Sequence, residues 1–261
     1  MIKVNILTNK NFVSFFFFYP LLVNRQRLRD LQIEISFFER RVSALWDADV
    51  VILDSKVMGW LSPTNHLLET IQKNRRPNSS IIWLDSSASS GTTHFQVLPV
   101  VDAYWKKQLL RNLNTYCDKL VGARLFTHYY HSNGFASVEN DYEQHPLDLR
   151  YRNKLHLSWN LGVGAYGTHN RISNLWRLIP WRIKQHFSFN YVEKPRDVNK
   201  QRDIDLAFRG SDRYSNSALA FQRIQSLKKM RARNLPTESL RYSEYVDELK
   251  SARLALSPFG F

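Results

Sequence analysis

Four short apolar runs in the first hundred residues constrain the fold of this 261-residue chain more than any other feature. Each run is rich in β-branched or aromatic residues, and they are Ile2–Leu7, Ile33–Phe38, Val50–Leu53 and Ile81–Leu84. Runs such as VVIL and IIWL are apolar at consecutive positions, which is typical of strands buried on both faces of a parallel sheet. Segments of helical character separate the runs, so the sequence predicts an open, doubly wound α/β sheet.

Two of the segments between the runs predict helices with particular clarity. Pro63–Arg75 has Ser62 as a suitable cap, a proline at its first position and Pro77 just beyond its end. Asn11–Val23 is strongly apolar but shorter than the roughly 20 residues that cross a bilayer. Because a strand-like alternation precedes it and no cleavage motif follows, we expect a buried helix. Contact of its aromatic cluster with a membrane surface is the alternative.

The pattern blurs after residue 100 and restarts near residue 203. Val100–Leu110 either extends the sheet or begins a helix, and Arg171–Phe187 predicts a helix that breaks at Pro180. The polar stretch 193–202 predicts a linker. The elements expected after it are a strand at Ile204–Phe208, a helix at Ala218–Met230, a helix over 243–252 and a strand at Leu254–Leu256.

Two strands are too few for a stable domain of this kind. We therefore expect the sequence to stop partway through a second α/β domain that lacks roughly another hundred residues.

Charge and cysteine content narrow the classes of function. The net charge of +14 indicates either affinity for an anionic partner or merely a solvated basic surface. Nucleic acid is not the expected partner, because the basic residues are scattered and no nucleic-acid-binding motif is present. Cys117 is the single cysteine, so an internal disulfide is excluded and a reducing compartment fits.

No metal site is expected. Asp47-Ala48-Asp49 and Asp203-Ile204-Asp205 match a D-x-D pattern, but each precedes its strand. Ligands of such sheets bind at the carboxyl ends of strands, so these pairs are interpreted as solvated strand starts. The sequence also lacks a phosphate-binding loop, a dinucleotide fingerprint and a zinc-protease motif.

Polar residues after the predicted third and fourth strands form a candidate catalytic site. Asp54 and Ser55 follow the third strand, and a small, Ser-rich loop from Asp85 to His94 follows the fourth. Carboxylate and imidazole are the usual general bases, so Asp85 and His94 are the candidates. The alternative is an ordinary loop in which Asp85 caps a helix.

A candidate anion site lies in the second domain. Arg209, Gly210 and Arg213 follow its first strand, where arginines can bind phosphate with two donors each and the next helix presents free N–H groups. The turn Ser257–Gly260 follows its other strand, so both turns are expected to face one cleft that suits a nucleotide diphosphate. Plain loop structure is the alternative here.

Several stretches of the sequence, first of all in the second domain, resemble a known protein family. The strand ending FRGS, the YSEYVDELKSA stretch and LALSPFG resemble the donor domain of glycosyltransferases of the GT-B architecture, more narrowly bacterial family-1-type enzymes of surface-polysaccharide assembly. The stretches YPLLVNR, DADVVILDS, VDAYWKKQLL and SWNLG are also similar to that group. The resemblance implies two Rossmann-like domains: residues 1–192 for the acceptor, and 203–261 as the incomplete start of the donor domain.

The resemblance also implies an activity and its residues. A sugar would pass from a nucleotide-diphosphate donor to a glycan or lipid-linked acceptor without a metal or other cofactor. The donor would contact Arg209, Gly210, Ser211, Arg213, Ser257, Phe259 and Gly260. Asp85 or His94 would be the base if the reaction inverts the sugar; a retaining reaction requires neither. The acidic residue that normally follows the SPFG turn is missing, because the sequence stops at Phe261.

Two other functions remain open. A non-catalytic α/β module could bind an anionic glycan, nucleotide or membrane surface, and a charge-driven nucleic-acid binder would show binding that weakens steeply with salt. The expected location is cytoplasmic, with peripheral contact at an anionic inner membrane as an option.

Overall fold

Parallel β-structure organises both of the compact units into which the chain divides. The computed structural model describes residues 1–10, 12–58, 64–87, 90–123, 125–135, 145–159, 178–184, 202–210 and 217–256. The first unit comprises residues 1–119 and 143–192, and the second comprises 120–142 and 193–261.

The first unit contains a parallel sheet of six strands in the order β2-β1-β3-β4-β5-β6. The strands are β1 (Ile2–Leu7), β2 (Ile33–Phe38), β3 (Val50–Asp54), β4 (Ser80–Asp85), β5 (Ala103–Lys106) and β6 (Leu155–Leu157). The α/β class is confirmed, as are all four predicted strands. Of the two alternatives for Val100–Leu110, the strand is correct, because Tyr104 to Lys106 continue the ladder beside β4. Strand β6 was not predicted.

Helices connect the strands of the first unit. They are α1 (Phe12–Val23), α2 (Arg25–Asp30), α3 (Asn65–Asn74) and, after the predicted Pro180 break, the short α5 (Trp181–Lys184). Helix α3 begins at Asn65 because the Thr64 hydroxyl accepts a hydrogen bond from the Leu67 N–H at 3.3 Å. The cap predicted at Ser62 lies outside the described residues. Single 3-10 turns lie at Ser43–Trp46, Ser55–Met58, Phe95–Val97, Leu113–Cys117 and Leu149–Lys154.

Both faces of the sheet are covered, as the consecutive apolar residues predict. Ile6 and Leu7 are neighbours along β1, yet Ile6 belongs to one core and Leu7 to the other. The core on the Leu7 side includes Leu67 and Ile71 of α3, and the core on the Ile6 side includes the phenylalanines of α1. Because side chains alternate along a strand, a run without polar positions fits only a sheet between two layers.

Helix α1 is the buried helix that the sequence predicts over Asn11–Val23. Its Phe15, Phe17 and Phe18 are fully buried, so the aromatic cluster packs on the sheet. Trp181 completes this aromatic layer, with its ring stacked on Phe37 at a centroid distance of 4.4 Å. In the described part of the chain, no helix is both long enough and apolar enough to cross a membrane.

The second unit has a smaller parallel pair of strands. Strand β7 (Ile204–Ala207) pairs with β8 (Ala252–Ala255), and α6 (Ser217–Arg231) and α7 (Tyr242–Ser251) lie between them along the chain. Its core includes Phe208, Leu227 and Met230. The unit also includes a 3-10 turn at Val121–Ala123 and α4 (Leu125–Ser132). Helix α4 contacts α6 through the rings of Tyr130 and Phe221, whose centroids are 5.5 Å apart.

Candidate functional site

Buried polar residues gather at the carboxyl edge of the six-stranded sheet. The strand order reverses direction between β1 and β3, and such a switch point is where open α/β sheets bind their ligands. Each of the gathered residues is at most 8% exposed, and they are Thr8, Ser14, Asp54, Ser55, Asp85, Ser86, Thr93, His94, Lys106 and Lys107. We take this polar edge as the candidate site, because buried polar groups are costly unless they are paired or used.

Asp85, the last residue of β4, lies at the centre of the polar edge. Its carboxylate accepts hydrogen bonds from the Tyr104 hydroxyl, from Lys106 Nζ at 3.1 Å and from the Ser87 N–H at 2.9 Å. Burial by itself would raise the pKa of Asp85, but the Lys106 ammonium, His94 and the Ser87 N–H hold it below its ordinary value. Asp85 is therefore ionised at neutral pH, and it neutralises a lysine that is completely buried.

The His94 side chain approaches the Asp85 carboxylate from the loop that follows β4. Its Nδ1 lies 3.5 Å from Asp85 Oδ2, and its backbone N–H donates to the Tyr104 hydroxyl at 2.9 Å. The side chain is only 4% exposed and its ring packs beside Trp83. The structure thus brings together the two residues nominated as bases from the sequence. In the alternative interpretation Asp85 caps a helix, yet no helix follows it directly within the described residues 86–87 and 90–94.

Asp54 forms a second buried carboxylate at the end of β3. Its oxygens accept from the hydroxyls of Thr8 at 2.8 Å, Ser14 at 3.4 Å and Ser86 at 2.7 Å, and from the Lys56 N–H at 3.1 Å. Burial raises the pKa of Asp54, and these hydrogen bonds oppose that shift. The carboxyl group therefore ties β1, α1 and β4 to β3.

Sequence reasoning did not identify the lysines and the tyrosine of the polar edge. Lys106 donates to the Thr92 carbonyl at 2.7 Å as well as to Asp85, and Lys107 follows it directly. Burial lowers the pKa of Lys106, and the Asp85 carboxylate partly offsets that shift. The available signal was the lysine pair that follows VVDAYW, a run that is apolar or aromatic except for Asp102.

The D-x-D pairs lie at the opposite, amino edges of their strands. Asp47 pairs with Lys3 at 3.3 Å and with Arg76 at 2.5 Å, while the Asp49 carboxylate accepts the Lys3 backbone N–H at 2.7 Å. Asp205 pairs with Arg253 at 3.0 Å. Cationic side chains thus pair with Asp47 and Asp205, and a backbone N–H occupies Asp49. Within the described ranges, no group of three His, Cys, Asp or Glu residues could hold a metal ion.

The predicted anion site is described only in part. Arg209 follows β7, but its Nε and Nη2 bind both carboxylate oxygens of Glu248, and its Nη1 donates to the Glu238 carbonyl at 3.2 Å. A phosphate would have to compete with Glu248 for these donors. The absence of a side chain at Gly210 matters, because a Cβ there would lie 2.9 Å from the Phe208 ring. Outside the described residues lie the other nominated positions, Ser211, Arg213, Ser257, Phe259 and Gly260.

The fold and the polar edge define an α/β protein with an open parallel sheet and a buried ion pair at its functional edge. No protein-family model matches the chain, and no curated protein or solved structure is detectably similar to it. The resemblance to glycosyltransferases therefore stays a hypothesis.

Lys56, which directly follows Ser55 of the polar edge, predicts a specific pH dependence of stability. Burial lowers the pKa of Lys56 from 10.5 to about 8. Between these two values the unfolded chain holds a proton that the folded chain has released, so the free energy of unfolding rises with pH. We expect urea unfolding midpoints to increase from pH 8 to pH 9.5, and to increase less in Lys56→Met. Lys73→Met, at an exposed position, is the control. The prediction is contradicted if the urea midpoint rises equally with pH in the unmodified chain, Lys56→Met and Lys73→Met.

Proposed function

We propose that this protein transfers a sugar from a nucleotide-diphosphate donor to a glycan or lipid-linked acceptor. The observation that carries the proposal is the approach of His94 Nδ1 to Asp85 at the carboxyl edge of the sheet. Nδ1 has no hydrogen bond at this separation among the described residues, and catalytic hydrogen bonds often tighten only when substrate binds. A carboxylate beside Nδ1 is the arrangement that orients an imidazole as a general base. The parallel strands of both units are compatible with two Rossmann-like domains.

The proposed chemistry applies to a reaction that inverts the sugar. His94 takes the proton of an acceptor hydroxyl, whose oxygen forms a bond to the anomeric carbon. The bond from that carbon to the donor phosphate breaks, and the nucleoside diphosphate leaves with the electron pair. Asp85 keeps its charge and acts as a positioning residue, because Lys106 holds its pKa low.

The first test is a thermal-shift screen of the full chain against nucleoside diphosphates and nucleotide sugars. At a hundredfold excess over the dissociation constant, a bound ligand stabilises the fold by about 2.7 kcal/mol. A shift that depends on the base supports a donor site. The absence of any shift would count against the proposal.

The second test is the substitution His94→Ala, measured with the donor and acceptor pair that such a screen identifies. Loss of a general base lowers kcat by at least about a hundredfold. The donor dissociation constant is expected to stay unchanged, because the base acts on the acceptor. Full kcat in His94→Ala would remove this residue from the mechanism.

A non-catalytic anion-binding module is the second candidate. The observation that favours it is burial, since Asp85 is completely buried and His94 is 4% exposed. Such a module would bind nucleotides or anionic glycans without consuming a nucleotide sugar. Release of nucleoside diphosphate during incubation with donor and acceptor distinguishes the transferase from the module.

A further inference from the structure

Lys107 of the polar edge and the adjacent Lys56 have no hydrogen-bonded or ion-paired partner for their ammonium groups among the described residues. Lys107 is 8% exposed and Lys56 is half-buried. Across the described residues, neither ammonium group has a hydrogen bond, and no carboxylate lies within ion-pair distance of either one. Lys106, by contrast, is matched by Asp85. Neither ammonium is fully cut off from solvent, so both can reach a ligand from outside. A charge held largely out of water without a direct partner is costly, so these two lysines require an explanation.

Hydrogen bonds at the strand ends place both lysines beside Ser86. The Lys56 N–H and the Ser86 hydroxyl both donate to Oδ1 of Asp54, at 3.1 and 2.7 Å. The Lys107 N–H donates to the carbonyl of Asp85, the residue before Ser86. Burial is the main cause of the lowered pKa of Lys56; the Asp54 carboxylate opposes the shift, and the Lys107 ammonium adds to it as a nearby like charge does.

The surrounding carboxylates are already committed to other partners. Asp85 binds Lys106 and Tyr104, and the oxygens of Asp54 receive hydroxyl and backbone donors. The lysine pair is therefore a patch of positive charge at the carboxyl ends of β3 and β5, on which Asp54 and Asp85 act without forming a direct ion pair among the described residues. Partly buried ammonium groups with free donors bind an anion strongly, because little water has to be displaced.

We propose that Lys56 and Lys107 form a binding site for a phosphate or diphosphate group at the carboxyl edge of β3 and β5. Lysine is an established phosphate ligand, and Ser86 lies between the two strand ends with a hydroxyl already ordered by Asp54. The anion site itself follows from the geometry. Its assignment to a substrate rests on the proposed function, with a nucleotide donor and a lipid diphosphate as the two sources of the group.

The test uses inorganic pyrophosphate as the probe and isothermal titration calorimetry on the full chain at 0.15 M salt. We expect Lys107→Met and Lys56→Met each to weaken binding by at least about tenfold, the effect of one lost charge-assisted hydrogen bond. Lys73→Met changes the net charge equally on an exposed helix and is expected to bind like the unmodified chain. Equal affinity in all four proteins, or equal weakening in the control, would overturn the site.

Stability provides an independent readout. Without ligand, Lys107→Met is expected to unfold at a higher temperature than the unmodified chain, because it removes a charge that lies largely out of water without a direct ion-pair partner among the described residues. A lower unfolding temperature together with unchanged pyrophosphate affinity would show that Lys107 only supports the fold. Lys56→Met tests the same site from a half-buried position and does not depend on the folding of the other variant.

Competition experiments distinguish a nucleotide donor from a lipid diphosphate as the ligand. They also distinguish failure of the anion site from failure of the proposed transferase. Displacement of pyrophosphate by uridine diphosphate but not by farnesyl diphosphate assigns the site to a donor, and the reverse assigns it to a lipid acceptor. Pyrophosphate bound at the lysines without displacement by either compound supports the anion site and counts against the transferase. If substituting either lysine leaves both pyrophosphate binding and nucleotide-sugar binding unchanged, the anion site is overturned and the transferase proposal stands.

Discussion

Asp85→Asn is expected to destabilise the first unit by about 3–5 kcal/mol, the usual effect of removing one partner of a buried ion pair. The substitution leaves Lys106 Nζ charged in a place where the side chain is completely buried. The amide can still accept from the Tyr104 hydroxyl, so most of the loss comes from the uncompensated ammonium. Urea unfolding followed by tryptophan fluorescence measures it, because Trp83 lies two residues before Asp85 in the same strand.

The double variant Asp85→Asn with Lys106→Met is the matched control. It removes both charges, and replacing a buried pair by uncharged groups is often neutral, so we expect it to be more stable than Asp85→Asn alone. A double variant as unstable as the single one would show that packing, and not charge, holds this edge together.

Trp181→Ala is expected to cost about 3–5 kcal/mol, as large aromatic truncations in a core do. The ring is 1% exposed, stacks on Phe37 and lies within 6.1 Å of the ring centroids of Phe15 and Phe18. Its Nε1 also donates to the Asn9 carbonyl at 2.9 Å. Truncation therefore opens a cavity in the aromatic layer and leaves a backbone acceptor without this donor. Thermal unfolding of the full chain measures the loss.

Two further substitutions, at Trp181 itself and at the nearby Leu178, serve as controls for the loss of stability in Trp181→Ala. Trp181→Phe keeps an aromatic ring and loses mainly the Nε1 hydrogen bond, so a smaller loss of about 1–2 kcal/mol is expected. Leu178→Ala, at a side chain that is 74% exposed, is expected to stay within about 0.5 kcal/mol. A cost for Trp181→Ala no larger than that of Leu178→Ala would mean that the aromatic layer contributes little.

Local pattern was sufficient to predict most of the sheet. Runs such as Val50–Leu53 and Ile81–Leu84 predict strands because both of their faces are apolar, and that property is visible in the sequence. Strand β6 was missed because it has three residues, of which His156 and Leu157 are exposed. It exists because its backbone pairs with β5, and pairing to a distant strand leaves no local signature.

The site was predictable only where a residue's position along a strand determines its role. Asp85 and His94 were nominated because they follow a strand, and the structure places them together. Lys106 was missed because a lysine at a strand end normally reaches solvent, and only the carboxylate opposite it in the register makes its burial tolerable. Likewise, Arg209 and Glu248 lie on separate elements that only the fold brings together. The sequence around Arg209, the predicted phosphate ligand, therefore does not reveal its carboxylate partner.

The residues of the aromatic layer are far apart in the sequence, so they emerge from the ribosome at different times during translation. The phenylalanines of α1 leave the ribosome early, but Trp159 and Trp181, whose ring nitrogens bond to the Phe17 and Asn9 carbonyls, follow much later. At about 5–20 residues per second, the interval between Val23 and Trp181 lasts roughly 8 to 30 s. Until then the phenylalanine surface lacks part of its cover, so chaperones that bind apolar segments of nascent chains are expected to engage it and to release it once Trp181 has emerged.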